Sequence, residues 1–203
     1  MKKYVKYILV FVCLLLFGFI AFNVYKNNTL YSDDIVYDFV SKIISDNTTI
    51  FIKIITWFGS TIGIILMCIF SMIIIRDKKI NLSIAICLIL GTIINNVLKI
   101  VFVRLRPDIN PLMIETSYSF PSGHSMMSMI LYGYLIYYIY KYLDRRKCKW
   151  IFISILSILI MFIGFSRIYL GVHYFSDVIG GFVLGIVYLI IYIDVTNRIV
   201  KKV

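Results

Sequence analysis

The chain has 203 residues, of which 61% are apolar and 15% charged, and its mean hydropathy of +0.94 excludes a water-soluble globule. Its 21 Lys and Arg against 10 Asp and Glu give a net charge of +11, a balance that in a soluble protein raises nucleic acid as a partner; here the flanks of apolar spans account for most of it, and no nucleic acid is expected. The cysteines Cys13, Cys68, Cys87 and Cys148 form no C-x-x-C pair, so neither a disulfide framework nor a cysteine zinc site is indicated.

In chain order, apolar runs long enough to cross a hydrocarbon core of about 30 Å lie at about 5–24, 50–75, 80–103, 122–142, 150–168 and 175–194. The expected fold is all-α, an integral membrane bundle of six transmembrane helices forming a single domain over 1–203. The first run follows Lys2 and Lys3 as a signal peptide would. It is longer than the usual apolar region and no A-x-A-like site follows, so it reads as a retained span. Between the first two runs, Asp33, Asp34, Asp38 and Asp46 punctuate Val36, Phe39, Val40, Ile43 and Ile44 at helical spacing. That pattern predicts an amphipathic helix lying in the outer interface or packed over the bundle. Gly59-x-x-x-Gly63 and Gly181-x-x-x-Gly185 predict close helix contact inside the bundle rather than a dimer seam; oligomeric state is otherwise without a signal.

Lys and Arg in short loops favour the cytoplasm. With the N-terminus inside, the inner segments hold Lys2, Lys3 and Lys6, then Arg76, Lys78 and Lys79, then the group from Lys141 to Lys149, then Arg198, Lys201 and Lys202. Both termini are therefore expected in the cytoplasm. Tyr137, Tyr138, Tyr140, Tyr142 and Trp150 suit an aromatic belt at that interface. Lys26, Lys42, Lys53, Lys99, Arg104, Arg106 and Arg167 fall on or near the outer side.

Ionisable residues in or beside spans are costly, so each one asks for a reason. Lys99 and Arg106, close to two turns apart at the end of the third span, share a helical face, and Pro107 ends that helix. The two cations point to one outer pocket or snorkel to lipid headgroups. Pro121-Ser122-Gly123-His124 opens the fourth span, where Pro suits the first turn and the free N–H groups make an anion site. Gly123 lets an oxyanion approach the backbone, Ser122 adds a hydroxyl donor, and His124 can exchange a proton. The plainer reading is a helix cap with a bystander histidine. Ser166-Arg167, His173 and Asp177 join the last two spans. Their i, i+4 His/Asp spacing lets Asp177 accept a hydrogen bond from Nδ1 of His173 and leaves Nε2 to act as nucleophile or base. Arg167 can offer a bidentate fork to phosphate; a purely structural His–Asp pair is the alternative. His124 and His173 are the only histidines in the chain, and with Asp177 they match a metal site in kind. Lys99, Arg106 and Arg167 would repel a metal ion but suit a phosphate, so no metal is expected.

Lys99 to Pro107 as K-x6-R-P, Pro121 to His124 as P-S-G-H, and Ser166 to Asp177 as S-R-x5-H-x3-D resemble, in order and spacing, the signature of the type 2 phosphatidic acid phosphatase superfamily. The signature region is 99–177, and six spans with the site outside resemble the bacterial membrane members. The resemblance implies a metal-independent lipid phosphatase without cofactor, at the outer face of a plasma membrane. It would act on undecaprenyl diphosphate, phosphatidylglycerol phosphate or phosphatidate. By that similarity His173 attacks phosphorus to give a phosphohistidine, Asp177 orients it, and His124 protonates the leaving oxygen and later activates water. Lys99, Arg106, Ser122, Gly123 and Arg167 hold the phosphoryl oxygens. The alternatives are a vanadate-dependent haloperoxidase-like enzyme, or a non-catalytic lipid-binding or lipid-flipping protein, for which an oriented nucleophile facing an acid has no use.

Overall fold

Long apolar runs with no internal proline form long helices. The computed structural model describes residues 3–27, 29–109 and 111–200; Lys2, Lys201 and Lys202, placed above among the inner basic residues, lie outside them. The helices are α1 (Lys3–Asn27), α2 (Tyr31–Ser41), α3 (Asp46–Trp57), α4 (Thr61–Ile74), α5 (Lys78–Phe102), α6 (Gly123–Tyr142), α7 (Arg146–Tyr169) and α8 (Phe175–Val200), and no strand occurs among the described residues. Four of them, α1, α5, α7 and α8, are long and apolar enough to cross a membrane. Phe11, Ile73, Ile100 and Phe152 are among the large apolar side chains left exposed, as a lipid-facing surface requires.

The expected continuous span over 50–75 is instead a bent pair. α3 and α4 qualify as a span only together, and they meet at 55°. The break is locally satisfied: Ser60 Oγ accepts from the Gly63 N–H at 3.1 Å, and the Phe58 carbonyl accepts from the Tyr132 hydroxyl at 2.8 Å. Non-helical backbone at membrane depth is tolerated where protein supplies such partners. Gly59 sits at the bend, where a Cβ would come within 2.4 Å of Ile163 and 3.2 Å of His124.

α6 borders α4, α5, α7 and α8. Its composition alone does not qualify it as a span, because its neighbours are protein more than lipid: Met126, Ile130, Leu131 and Tyr132 are fully buried. The α8 glycines face it. A Cβ on Gly181 would lie 2.6 Å from the Ser122 carbonyl oxygen, and one on Gly185 2.9 Å from Met129 Cβ, so this small-residue pair packs inside the bundle. The amphipathic stretch divides in two, α2 and the start of α3. α2 rests on α7 and α8, burying Asp33 and Val40 while Tyr31, Ile35 and Phe39 stay exposed.

Candidate active site

The end of α5, the start of α6, the end of α7 and the start of α8 converge. α5 carries the buried Lys99 in its last turn but ends at Phe102, so Arg106 does not share a helical face with Lys99 and Pro107 is not what ends the helix. It closes on Val103, whose φ of 48° is an uncommon conformation for a β-branched residue. The turn sends Arg104 into the protein, 1% exposed, and brings Arg106 back over the site. Lys99 Nζ donates to Ser117 Oγ at 3.1 Å and to the Tyr118 carbonyl. Arg106 donates from Nε to the Ser117 carbonyl at 2.6 Å and from Nη1 to the Val172 carbonyl at 2.7 Å. Both cations are thereby fixed rather than left to snorkel.

His173 occupies the turn between α7 and α8 and is 3% exposed. Its Nδ1 lies 3.4 Å from Asp177 Oδ2 and 3.2 Å from Ser119 Oγ. The Ser119 hydroxyl donates to the same Oδ2 at 2.5 Å, and the Tyr174 N–H donates to it at 2.9 Å. With Nδ1 on the carboxylate side, Nε2 accepts from Arg106 Nη1 at 3.2 Å. Burial is the largest influence on His173 and holds it below the ordinary imidazole range. Asp177 opposes that shift, while Arg106 and Arg167 add to it. The ring is therefore neutral at pH 7, with the Nε2 lone pair that a nucleophile needs.

A cavity of about 600 Å³ opens beside it. One end is lined by Lys99, Arg106, Glu115, Gly123, His124 and His173, the other by apolar side chains of α4 and α5, among them Ile65, Ile69, Leu88 and Ile89. Asp177, Ser122 and Arg167 do not line it. Asp177 stands behind His173. Ser122 is fully buried, and its Oγ accepts from the Ser125 N–H at 3.5 Å and the Ser125 hydroxyl at 3.0 Å, the cap of α6. Arg167 is fully buried; it donates to Thr56 Oγ1 at 2.8 Å and pairs with Glu115, while its Nε has no hydrogen-bond partner among the described residues. Among the described residues no group of three His, Cys, Asp or Glu side chains is placed to hold a metal ion.

The motifs did not single out Asp33, Arg104, Glu115 or Ser119. Arg104 and Asp33 carried a signal, each being a charge in an apolar setting, but their pairing had none. Ser119 had none at all.

A family model described as the PAP2 superfamily matches residues 80–201. The chain belongs to the PAP2 superfamily. It is 43% identical over 105 residues to a phosphatidylglycerophosphatase B of Bacillus subtilis, covering 49% of this chain and 50% of that protein. It is 33% identical over 134 residues to an undecaprenyl-diphosphatase of Sulfolobus acidocaldarius, covering 62% and 61%. The chain thus spans about half to three-fifths of the length of these curated relatives. The crystal structure of a transmembrane PAP2-type phosphatidylglycerolphosphate phosphatase from Bacillus subtilis superposes with a TM-score of 0.85 at 28% identity, covering 94% of this chain and 96% of that one. All three PAP2 signature elements fall within the matched region, at the convergent helix ends.

Proposed function

We propose that this PAP2 protein is a metal-independent phosphatase acting on a lipid phosphate or diphosphate headgroup through a phosphohistidine on Nε2 of His173. One observation carries the reading: a single cavity joins a cationic, two-histidine end to an apolar end between α4 and α5, matching a phosphorylated headgroup and its hydrocarbon chain. The PAP2 relatives named for phosphatidylglycerophosphate and undecaprenyl diphosphate have substrates of that chemistry, and phosphatidate shares it.

In the proposed reaction Nε2 of His173 bonds to phosphorus as the bond to the leaving oxygen breaks, and His124 supplies the proton to that oxygen. His124 then takes a proton from water, which displaces the imidazole and frees phosphate. Lys99, Arg106 and the amides around Gly123 hold the phosphoryl oxygens in the cavity. Ser122 acts through the cap of α6, and Arg167 reaches phosphate only when Glu115 releases it. Uncatalysed phosphate-monoester hydrolysis is accelerated by enzymes up to ~10²¹-fold, and positioned charge is the main means.

The chain acts as one membrane domain, with α6 as the sixth crossing beside α1, the α3–α4 pair, α5, α7 and α8, and α2 at the outer interface. Its 20 residues reach about 30 Å at 1.5 Å each. The basic flanks support cytoplasmic termini and an outward-facing site in a plasma membrane. The test is phosphate release from phosphatidate, phosphatidylglycerol phosphate and undecaprenyl diphosphate by purified protein in detergent with EDTA. Turnover with EDTA, abolished in His173→Ala and inhibited by vanadate, is expected, since transition-state analogues bind ~10²-fold or more tighter than substrates. Turnover lost on chelation and restored by zinc or magnesium overturns the metal-free reading; binding without release on any lipid makes the protein a binder.

A further inference from the structure

Asp177 is not the end of the chain of contacts that begins at His173. Arg104 donates from Nη1 to Asp177 Oδ1 at 2.5 Å and to Ser176 Oγ at 2.8 Å, and from Nη2 to Asp33 Oδ2 at 2.9 Å. Asp33 also accepts from the Ser176 N–H and the Ser176 hydroxyl, each at 2.8 Å, and from the Leu30 N–H at 3.0 Å. The Tyr174 ring covers the guanidinium at 4.1 Å. Asp33, Arg104 and Asp177 are 2%, 1% and 0% exposed.

A buried arginine between two buried carboxylates is costly to assemble, and apolar replacements of the same volume are often no less stable. Stability alone is thus a weak reason for it. The geometry supplies a better one. Arg104 occupies Oδ1 of Asp177, so that Oδ2 is the oxygen left to meet Ser119, the Tyr174 N–H and His173 Nδ1. Val103, held at φ 48° immediately before Arg104, is the strained residue that turns this side chain inward.

We propose that Arg104 and Asp33 are positioning residues for the nucleophile: Arg104 clamps Asp177 in the orientation that holds His173, and Asp33 holds Arg104. α2 then belongs to the active site, although none of its residues lines the cavity. The inference rests on the reading of His173 as the nucleophile. Asp33 works as a carboxylate and not merely as a polar residue, because every one of its four contacts is a donor. An amide in its place would set an NH2 against them.

The test uses the full chain in detergent with 15N-labelled histidine. Two histidines give two imidazole spin systems, and His124→Gln assigns them. In the wild type His173 is expected as the Nδ1–H tautomer at pH 7.5. In Asp33→Asn and in Arg104→Lys, which keeps the charge but cannot fork between two carboxylates, the Nε2–H tautomer is expected to appear. Turnover of dioctanoyl phosphatidate is expected to fall about tenfold in kcat for Asp33→Asn and about a hundredfold for Arg104→Lys, the size of loss that slight misplacement produces. KM is expected within about twofold of wild type, because an interaction acting through the nucleophile moves kcat and not ground-state binding. Unchanged tautomers in both folded variants overturn the proposal. If Arg104→Lys does not fold, Asp33→Asn decides by the same criterion. A wild type that releases no phosphate overturns the phosphatase reading, while the tautomers still decide the positioning roles.

Discussion

In the proposed reaction His173 attacks phosphorus only while Nδ1 keeps its proton and Nε2 keeps its lone pair, so every group touching Nδ1 bears on that reaction. Ser119 is one of them. Its hydroxyl donates to Asp177 Oδ2 at 2.5 Å and stands 3.2 Å from Nδ1, able to accept from the ring while donating to the carboxylate. Hydrogen bonds to charged groups contribute about 1.5–3 kcal/mol, so Ser119→Ala is expected to lower kcat by about ten- to a hundredfold with little change in KM, measured as phosphate release per folded protein. The acid side of the pH profile follows from burial. Folding holds the His173 pKa below its unfolded value, so the neutral form is the one folding favours. The acid limb of kcat/KM that belongs to His173 is expected below the ordinary imidazole value of about 6.5. The same shift supplies stability that is full above the unfolded pKa and is lost as pH falls from there through the folded pKa. A His173 imidazole signal that titrates at the ordinary imidazole value in an NMR pH series of the 15N-histidine-labelled protein refutes this.

Between elements, the site depends on how closely the start of α6 lies against α8. Gly181 permits that approach, with a Cβ on it 2.6 Å from the Ser122 carbonyl and 3.2 Å from the Met126 N. Those neighbours are backbone at the first turn of α6 and cannot swing away. Gly181→Ala is therefore expected to lower thermal stability in detergent by about 1–3 kcal/mol, the usual range for overpacking, and to reduce turnover by moving Gly123 and His124 off the cavity. Gly18 is the control, since a Cβ there meets none of the described residues within 4 Å; Gly18→Ala is expected to leave turnover unchanged and not to lower stability. The bend between α3 and α4 has a similar logic. Gly59 and the Tyr132–Phe58 bond bring the bend against His124, with a Cβ on Gly59 only 3.2 Å from the histidine ring.

The whole molecule has two chemically distinct ends. The convergent helix ends hold Lys99, Arg106, His124 and His173, while at the other end Lys6 and Arg198 pair with Asp194. Asp194 lies seventeen residues along α8 from Asp177, roughly 25 Å at 1.5 Å per residue. With the basic loops inside, a cysteine placed at Asp144 in a cysteine-free background is expected to resist an impermeant thiol reagent in intact cells, and one at Ile109 to react. Labelling at Asp144 and not at Ile109 inverts the orientation.

How much of this was legible in the residue order depends on the range of the interaction. Apolar runs marked α1, α5, α7 and α8 because crossing a bilayer is a property of a segment. The three motifs marked Lys99, Arg106, Gly123, His124 and His173 because each is a short local pattern of residues costly in an apolar setting, although Arg106 lies past the end of α5 and His173 before the start of α8. Asp177 was placed behind His173 by their i, i+4 spacing. The bend at Gly59 and the central place of α6 were not legible, since both depend on which surfaces neighbouring helices offer. Ser122 takes the cap role that the plainer reading of its motif offers, with Ser125 three residues on, whereas Arg167 turns to Glu115 because a buried polar group takes the nearest partner that packing supplies. Arg104 meets Asp33 across 71 residues and Asp177 across 73, and no periodicity spans such distances. A local pattern tells which charges are too costly to be accidental; the packing of distant helices chooses their partners.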